Sequence, residues 1–419
     1  MITKIFDYGM NGEGVSKIDG KIVLIPHSLL DEELDIDIVE DFGNYATANI
    51  NYICAPSINR ITPPCPYFSK CGGCDLQHMS YSEQLRFKRT LVKKTIKKIA
   101  NIDVEVNPTV ACSQEYSYRN KISINIDLNS CGYYHEGSKD IINIDTCLLA
   151  NPNIQDIFTK FRQYLSTLDI DSRSKLKNLV IRSIENQTLI GVVVRENIDI
   201  SNLYKMLDTN NIGLYLIINK RKDSVVLSGK VIHIAGIKNI EIHNYGLTYF
   251  VDLMSFHQTN LDIQDKIYSK VLEYIKPNSV VVNGFSGQGL LTAVISSVAK
   301  HTIGIEINKS AHLSAEALKT LNKISNMTNI LGDFNLEINK LVDSDMLILD
   351  PAKKGCGEKV LTNISTNEII YISCNPIALA KDLKVLINNY DIQEIIPFDM
   401  FPNTKSIETL VKLKLKENK

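Results

Sequence analysis

Val280-Val281-Val282-Asn283-Gly284-Phe285-Ser286-Gly287-Gln288-Gly289, followed by the apolar run Leu290 to Val298, decides how this chain folds. The valines read as a buried strand, the glycines as a sharp turn, and the run after them as a helix. Such a turn lets backbone approach a ligand closely at a helix N-terminus. The next strand pattern, Thr302 to Ile307, places Glu306 about twenty residues on, where a carboxylate can accept hydrogen bonds from both ribose hydroxyls. The spacing Gly-x-x-Gly-x-Gly departs from the dinucleotide fingerprint, so a cofactor without a pyrophosphate fits better. S-adenosylmethionine, an adenosine with a charged amino-acid tail, meets that demand.

From about residue 251 onward, strand patterns alternate with helical ones, which predicts a mostly parallel sheet with helices on both faces. The strand Met346 to Leu349 runs into Asp350-Pro351-Ala352-Lys353-Lys354-Gly355, where the proline stops strand pairing and holds Asp350 at the same sheet edge. A plain turn-forming Asp-Pro is the ordinary account of that dipeptide. Ile369-Ile370-Tyr371-Ile372 leads into Ser373-Cys374-Asn375-Pro376, putting a thiol at the edge where open α/β sheets present their active sites. A single cysteine there is ordinarily a buried structural residue. Its company, a Gly-rich turn, an acid one strand later and an Asp-Pro at another strand end, argues for chemistry.

Upstream the chain changes character. Residues 1–55 carry Gly9, Gly12, Gly14 and Gly20, an apolar run at Lys21 to Pro26 and alternation at Leu34 to Ile38, the pattern of a small β-barrel. Residues 56–250 hold several β-rich runs and Cys65-x5-Cys71-Gly72-Gly73-Cys74, three thiols on one tight loop that call for a metal and a fourth ligand. A helix is predicted around Leu85, Val92, Ile96 and Ile99, and it bears Arg86, Lys88, Arg89, Lys93, Lys94, Lys97 and Lys98. A solvated amphipathic face is the bland account of such a helix, and an electrostatic footprint for RNA phosphates the sharper one.

A chain of 419 residues, 44% of them hydrophobic, with a net charge of -1, has room for two or three domains. No stretch is long and apolar enough to span a bilayer and no signal-peptide pattern opens it, so a cytoplasmic monomer is expected. Nine cysteines, an odd number and partly crowded, fit metal ligation plus a reactive thiol better than a disulfide framework. Cys54, Cys112, Cys131 and Cys356 are read as structural.

The motifs Phe256-His257-Gln258-Thr259-Asn260, the Gly-rich turn, Glu306, Asp350-Pro351, Ser373-Cys374-Asn375-Pro376 and Asp399-Met400-Phe401-Pro402 with Glu408 after it run in one order. In that order the chain resembles the RNA uracil-5 methyltransferases, specifically the iron-sulfur branch that makes 5-methyluridine in bacterial 23S rRNA. The resemblance implies a Rossmann-like class I methyltransferase domain (251–419), an N-terminal OB-like TRAM barrel (1–55) and a β-rich central iron-sulfur domain (56–250). It implies Cys374 as nucleophile and Glu408 as base, with Gln258, Phe285, Glu306 and Asp350 lining the S-adenosylmethionine pocket. It also implies a [4Fe-4S] cluster on Cys65, Cys71, Cys74 and Cys147, with structural zinc as the alternative because four thiolates suit either metal.

The chemistry explains the residue types. Uracil C5 is a poor nucleophile until a thiolate adds to C6, and a base must afterwards take the C5 proton. A thiol with a lowered pKa is expected for Cys374. C6 is inaccessible in a stacked helix, so the target uridine is unpaired or flipped out. Ribosomal RNA is the expected partner, with tRNA the competing substrate. The N-terminal part is acidic (Asp31, Glu32, Glu33, Asp35, Asp37, Glu40, Asp41), which shifts weight for RNA contact onto the basic helix. Asn283, Lys353 and Ser406 depart from the family pattern, where an acid, an arginine and a histidine are usual. They motivate a second expectation, an RNA-binding or assembly protein that has lost turnover.

Overall fold

Strands that are apolar along their whole length must be covered on both faces, and Met346–Leu349 and Glu368–Ser373 are buried at every position. The computed structural model describes residues 1–207, 210–338 and 344–417. These two strands lie inside a seven-stranded sheet ordered Met327–Leu331, His301–Glu306, Val280–Gly284, Met346–Leu349, Glu368–Ser373, Glu408–Leu415, Tyr390–Phe398. The first five are parallel to one another. Glu408–Leu415 runs antiparallel to both of its neighbours. The order reverses between His301–Glu306 and Met346–Leu349, on either side of Val280–Gly284, and such a switch point opens a crevice at the C-terminal strand ends.

The turn after Val280–Gly284 is left-handed at Phe285 (φ 61°) and Gly289 (φ 77°). A Cβ on Gly289 would stand 2.7 Å from the Cβ of Ala315, so only glycine lets the following helix, Leu290–Ile295, approach the helix Lys309–Leu321 this closely.

The central part is a seven-stranded sheet ordered Lys230–Gly236, Ile212–Ile218, Gln187–Val194, Leu176–Ile184, Lys121–Ile126, Cys131–Tyr134, Ile141–Asn143. One face packs on the helix Pro152–Thr167 through Ile154, Phe158 and Phe161. Val180, Leu189 and Val193 on the other face meet Val251, Leu290 and Val294, which joins this sheet to the C-terminal half through an apolar seam. Residues 2–55 form a six-stranded sheet around Ile5, Val23, Ile25, Leu34 and Ile36. No helix among the described residues is long and apolar enough to cross a membrane.

The basic helix, Tyr81–Ala100, follows the amphipathic account of its sequence except at Lys88. Val92, Ile96 and Ala100 join the core of the C-terminal half beside Leu379, Leu383 and Leu386, so the helix covers one face of its sheet. Its cations are mostly turned onto their own chain. Lys88 is fully buried and its Nζ donates to Asp399 Oδ1 at 2.5 Å. Arg86 pairs with Glu83 and Arg89 donates to the carbonyl of Val106, while Lys93, Lys94 and Lys97 pair with Glu105, Asp7 and Asp103. The spacing that suggested a phosphate-binding stripe arose because packing and a buried ion pair also demand long cationic side chains. Lys88→Ala is expected to destabilise the protein by about 3–5 kcal/mol, since it strands the Asp399 carboxylate in the interior. Denaturant unfolding reads this directly, and a change within about 0.5 kcal/mol, as at an ordinary surface site, would refute it.

Candidate active site

A cleft of about 900 Å³ opens at the C-terminal edge of the parallel strands. Three connections of the sheet supply its floor: the turn after Val280–Gly284 with Phe285, the loop after Met346–Leu349 with Asp350 and Lys353, and Cys374 directly after Glu368–Ser373. The antiparallel strand supplies the remaining group. Ser373 pairs with Thr409 and Phe398 with Glu408, so one step along the register sets Cys374 opposite Glu408. Asn375 caps the helix Pro376–Leu386 by accepting from the Ile377 N–H, which ends the strand and holds the thiol on the turn. Its amide also donates to the Lys353 carbonyl at 2.8 Å, tying the Asp-Pro loop to the Cys374 turn.

Burial raises every acid in this floor. The Cys374 thiol is pushed up to about 11, first by burial and then by the Glu408 carboxylate, against the opposing charge of Lys353. This corrects the expectation of a lowered thiol pKa, because the cation beside it is outweighed by lost hydration and a neighbouring carboxylate. Asp350 touches the cleft, yet burial pushes its carboxyl up to about 7. Glu408 is held well above the usual carboxylate range, by burial and then by the Asp350 charge. His257 also lines the cleft, and burial followed by Arg182 holds its ring down at about 3. Burial thus disfavours the charged form of all three groups, the two carboxylates and the imidazolium alike.

Of the other residues singled out in the sequence, Gln258 and Phe285 line the cleft. Asn120 donates to the Gln258 carbonyl at 2.9 Å, and the Phe285 ring leans on Phe334. Glu306 is not among the residues lining the cleft. Its carboxylate instead accepts from the Gly287 N–H at 2.8 Å and the Asn308 N–H at 2.7 Å, bracing the Gly-rich turn. The three departures all lie in the cleft wall. The Asn283 amide donates to Thr292 Oγ1, while its own Oδ1 is buried without a partner.

Cys65, Cys71, Cys74 and Cys147 line one small cavity of about 30 Å³, although Cys147 lies far from the others in the chain. Burial pushes the first three thiols up, Cys74 to about 12, and Cys147 adds to each rise. Among the described residues no group of three or more His, Cys, Asp or Glu is spaced to hold a metal ion. Of the cysteines read as structural, Cys112 and Cys131 are buried, Cys356 is half-buried and Cys54 is exposed.

Sequence reasoning missed the residues that the central part lends to the cleft: Arg119, Tyr133 and Asp75, with Tyr268 and Lys405 from the C-terminal half. None belongs to a contiguous pattern, and only the packing of separate elements brings them together. Asn403 organises this junction from a left-handed backbone (φ 67°). Its carbonyl accepts from the N–H groups of Asp75 and Leu76, both at 3.0 Å, and its own N–H donates to Gln84 Oε1 at 2.9 Å. Asp75 also pairs with Lys405, so the cysteine loop braces the segment that leads to Glu408.

Comparison with known proteins bears on this cleft. A family model described as tRNA (Uracil-5-)-methyltransferase matches residues 80–416. A protein described as an uncharacterized RNA methyltransferase from Clostridium tetani is 31% identical, over 96% of this chain and 94% of its own length. A similarly described protein from Staphylococcus aureus strain COL is 30% identical, over 98% of this chain and 97% of its own. Among solved structures, the Pyrococcus abyssi tRNA (uracil-54, C5)-methyltransferase in complex with S-adenosyl-L-homocysteine superposes with a TM-score of 0.81 at 23% identity, covering 98% of this chain and 99% of that one. At that identity the superposition speaks for the fold, and it extends over the N-terminal and central parts as well as the C-terminal half.

Proposed function

This chain belongs to the tRNA (uracil-5-)-methyltransferase family, and from that premise we propose that it methylates uridine C5 in 23S rRNA through a transient bond between Cys374 and uracil C6. S-adenosylmethionine-dependent RNA uracil-5 methylation is the family's activity. One observation supports the covalent route: the antiparallel register sets Cys374 against Glu408 on the floor of the same cleft.

The Cys374 sulfur adds to C6, and the electron pair of the C5–C6 double bond moves toward the C4 carbonyl, making C5 an enolate carbon. C5 then attacks the methyl carbon of the donor's sulfonium, forming a C–C bond as the methyl–sulfur bond breaks and the neutral thioether leaves. Glu408 takes the C5 proton, the double bond re-forms and the thiolate leaves. Gln258, Phe285 and Asp350 are assigned to the donor side of the cleft. Glu306 keeps a further acceptor lobe on each oxygen beside its backbone partners at the turn, which can receive a ribose hydroxyl. Asn283, whose buried Oδ1 has no partner, stands where the family usually has an acid, so the site loses a charge but keeps an acceptor. Retention of both Cys374 and Glu408 favours turnover over a role confined to RNA binding.

The cysteine site offers the four sulfurs that a [4Fe-4S] cluster or a zinc ion would need, lining one cavity. A tetrathiolate zinc, with Zn–S of about 2.3 Å, draws its sulfurs to within about 4 Å of one another. A [4Fe-4S] cluster carries its thiolates on four separate irons and so accepts a wider set. Cys65, Cys71, Cys74 and Cys147 would hold it. It would supply cations that offset the buried thiolates and would tie the loop of 65–74 to Cys147. We assign it a structural role, alongside a TRAM-type role in RNA contact for the N-terminal sheet.

A second reading, a tRNA substrate, has one observation in its favour: a tRNA enzyme overlays this chain over nearly its whole length, so the N-terminal and central parts do not by themselves select rRNA. Incubating the protein with labelled methyl donor and both unmodified RNAs decides between them. Label as 5-methyluridine in 23S rRNA is expected. Label confined to tRNA would support the second reading, and label in neither would overturn both.

A further inference from the structure

Arg119, next to the strand Lys121–Ile126, stands in a wall that two cavities share, since it lines both the four-cysteine cavity and the active-site cleft. Gly73 and Tyr133 are the other residues common to both linings. A guanidinium presents five N–H donors in a rigid fork. Here the side chain makes no hydrogen bond or ion pair to any described residue, and its Nε is buried without a partner. The groups acting most strongly on it through space are Tyr118, Tyr133, Cys147 and Cys74, and none of these is a carboxylate. A partly buried cation lacking a carboxylate calls for an anion from elsewhere.

Metal ligation would place thiolates on one side. On the other side lies the cleft, whose remaining lining cations are differently engaged. Lys405 is held by Asp75, and Lys353 faces Cys374. RNA is the polyanion that must enter this cleft, and each nucleotide brings a phosphate matched in shape to the guanidinium fork.

Resting on the RNA-methylation reading above, we propose that Arg119 is a substrate-positioning residue whose guanidinium spans the wall between the four-cysteine site and the cleft and grips a phosphate beside the target uridine. The cysteine site thereby acts on RNA binding through the residue that shares its wall, without touching the reacting base. No step of methyl transfer passes through it.

The test uses full-length protein with its metal content as purified, and a short unmodified RNA carrying the target uridine. Donor binding, RNA Kd across a salt series, and iron content with visible absorbance are measured for wild type, Arg119→Gln and Arg119→Lys. R119Q is expected to weaken RNA binding by roughly 10-fold and to lower the slope of log K against log salt by about one, as loss of one phosphate contact requires. Its donor affinity is expected to stay at the wild-type value. R119K keeps the charge but loses the fork, so it should keep the slope and bind about threefold more weakly. A residue that merely filled space would leave the slope alone. Unchanged Kd and slope in R119Q would overturn the proposal, as would weaker binding at an unchanged slope, which points to a base carbonyl instead of a phosphate. If R119Q fails to bind the donor, R119K carries the test, and RNA affinity equal to wild type would overturn it. Wild type that binds the donor but no RNA would count against the RNA-methylation reading itself.

Discussion

Cys374→Ala is expected to abolish methyl transfer, with a loss on the order of 10⁴-fold or more, the scale on which removal of an activated nucleophile acts. The change deletes one sulfur at a turn whose shape is set by neighbours, since Asn375 caps the following helix and fastens the Lys353 loop. Donor and RNA affinity should therefore persist. RNA carrying 5-fluorouridine should be captured covalently by wild type and released by the variant, because fluorine at C5 cannot leave as a proton. Undiminished capture by C374A would move the nucleophile elsewhere. The wild-type pH profile supplies a second check. With the thiol pushed up to about 11, the thiolate fraction grows with pH across the whole neutral and mildly alkaline range. The rate of adduct formation should keep climbing above pH 8, where an ordinary cysteine would begin to level. A rate independent of pH from 7 to 9 would contradict it.

Glu408→Gln should stall the reaction at its far end, after methyl transfer and before release. The amide fits the same buried space but cannot accept the C5 proton, so turnover should fall by about 10²–10⁴-fold. Natural uridine-containing RNA should then remain bonded to the protein as a methylated adduct that survives denaturation. Asp350 is the neighbour whose charge Glu408 feels, and a carboxyl pushed up to about 7 is a competent substitute acceptor. A slow residual release that disappears in the Glu408→Gln, Asp350→Asn double variant would identify that route. Normal turnover in E408Q, or loss of turnover with no adduct, would remove Glu408 from the role of base.

Both expectations depend on how the antiparallel strand is placed. Ser373-Cys374-Asn375-Pro376 announces a thiol at a strand end, and Glu408 follows its Met-Phe-Pro segment, but nothing in either stretch states that the two face each other. The register Ser373 to Thr409 does so, because strand pairing converts sequence distance into direct opposition. The basic helix illustrates the reverse case. Its heptad-like stripe was legible, yet the destination of Lys88 was not, since a lysine buried against Asp399 and a lysine facing solvent look the same in a sequence.

Local signals alone determined the parallel α/β half, the Gly-rich turn, the cysteine loop and the candidate nucleophile, because strand periodicity, glycine stereochemistry and proline stops act over a few residues. Tertiary structure alone decided the weakened acidity of Cys374, Asp350 and Glu408, the gathering of Cys147 with three distant thiols, and the entry of Arg119 into the cleft wall. Desolvation and through-space charge depend on what surrounds a group on every side, and most of those neighbours come from other parts of the chain.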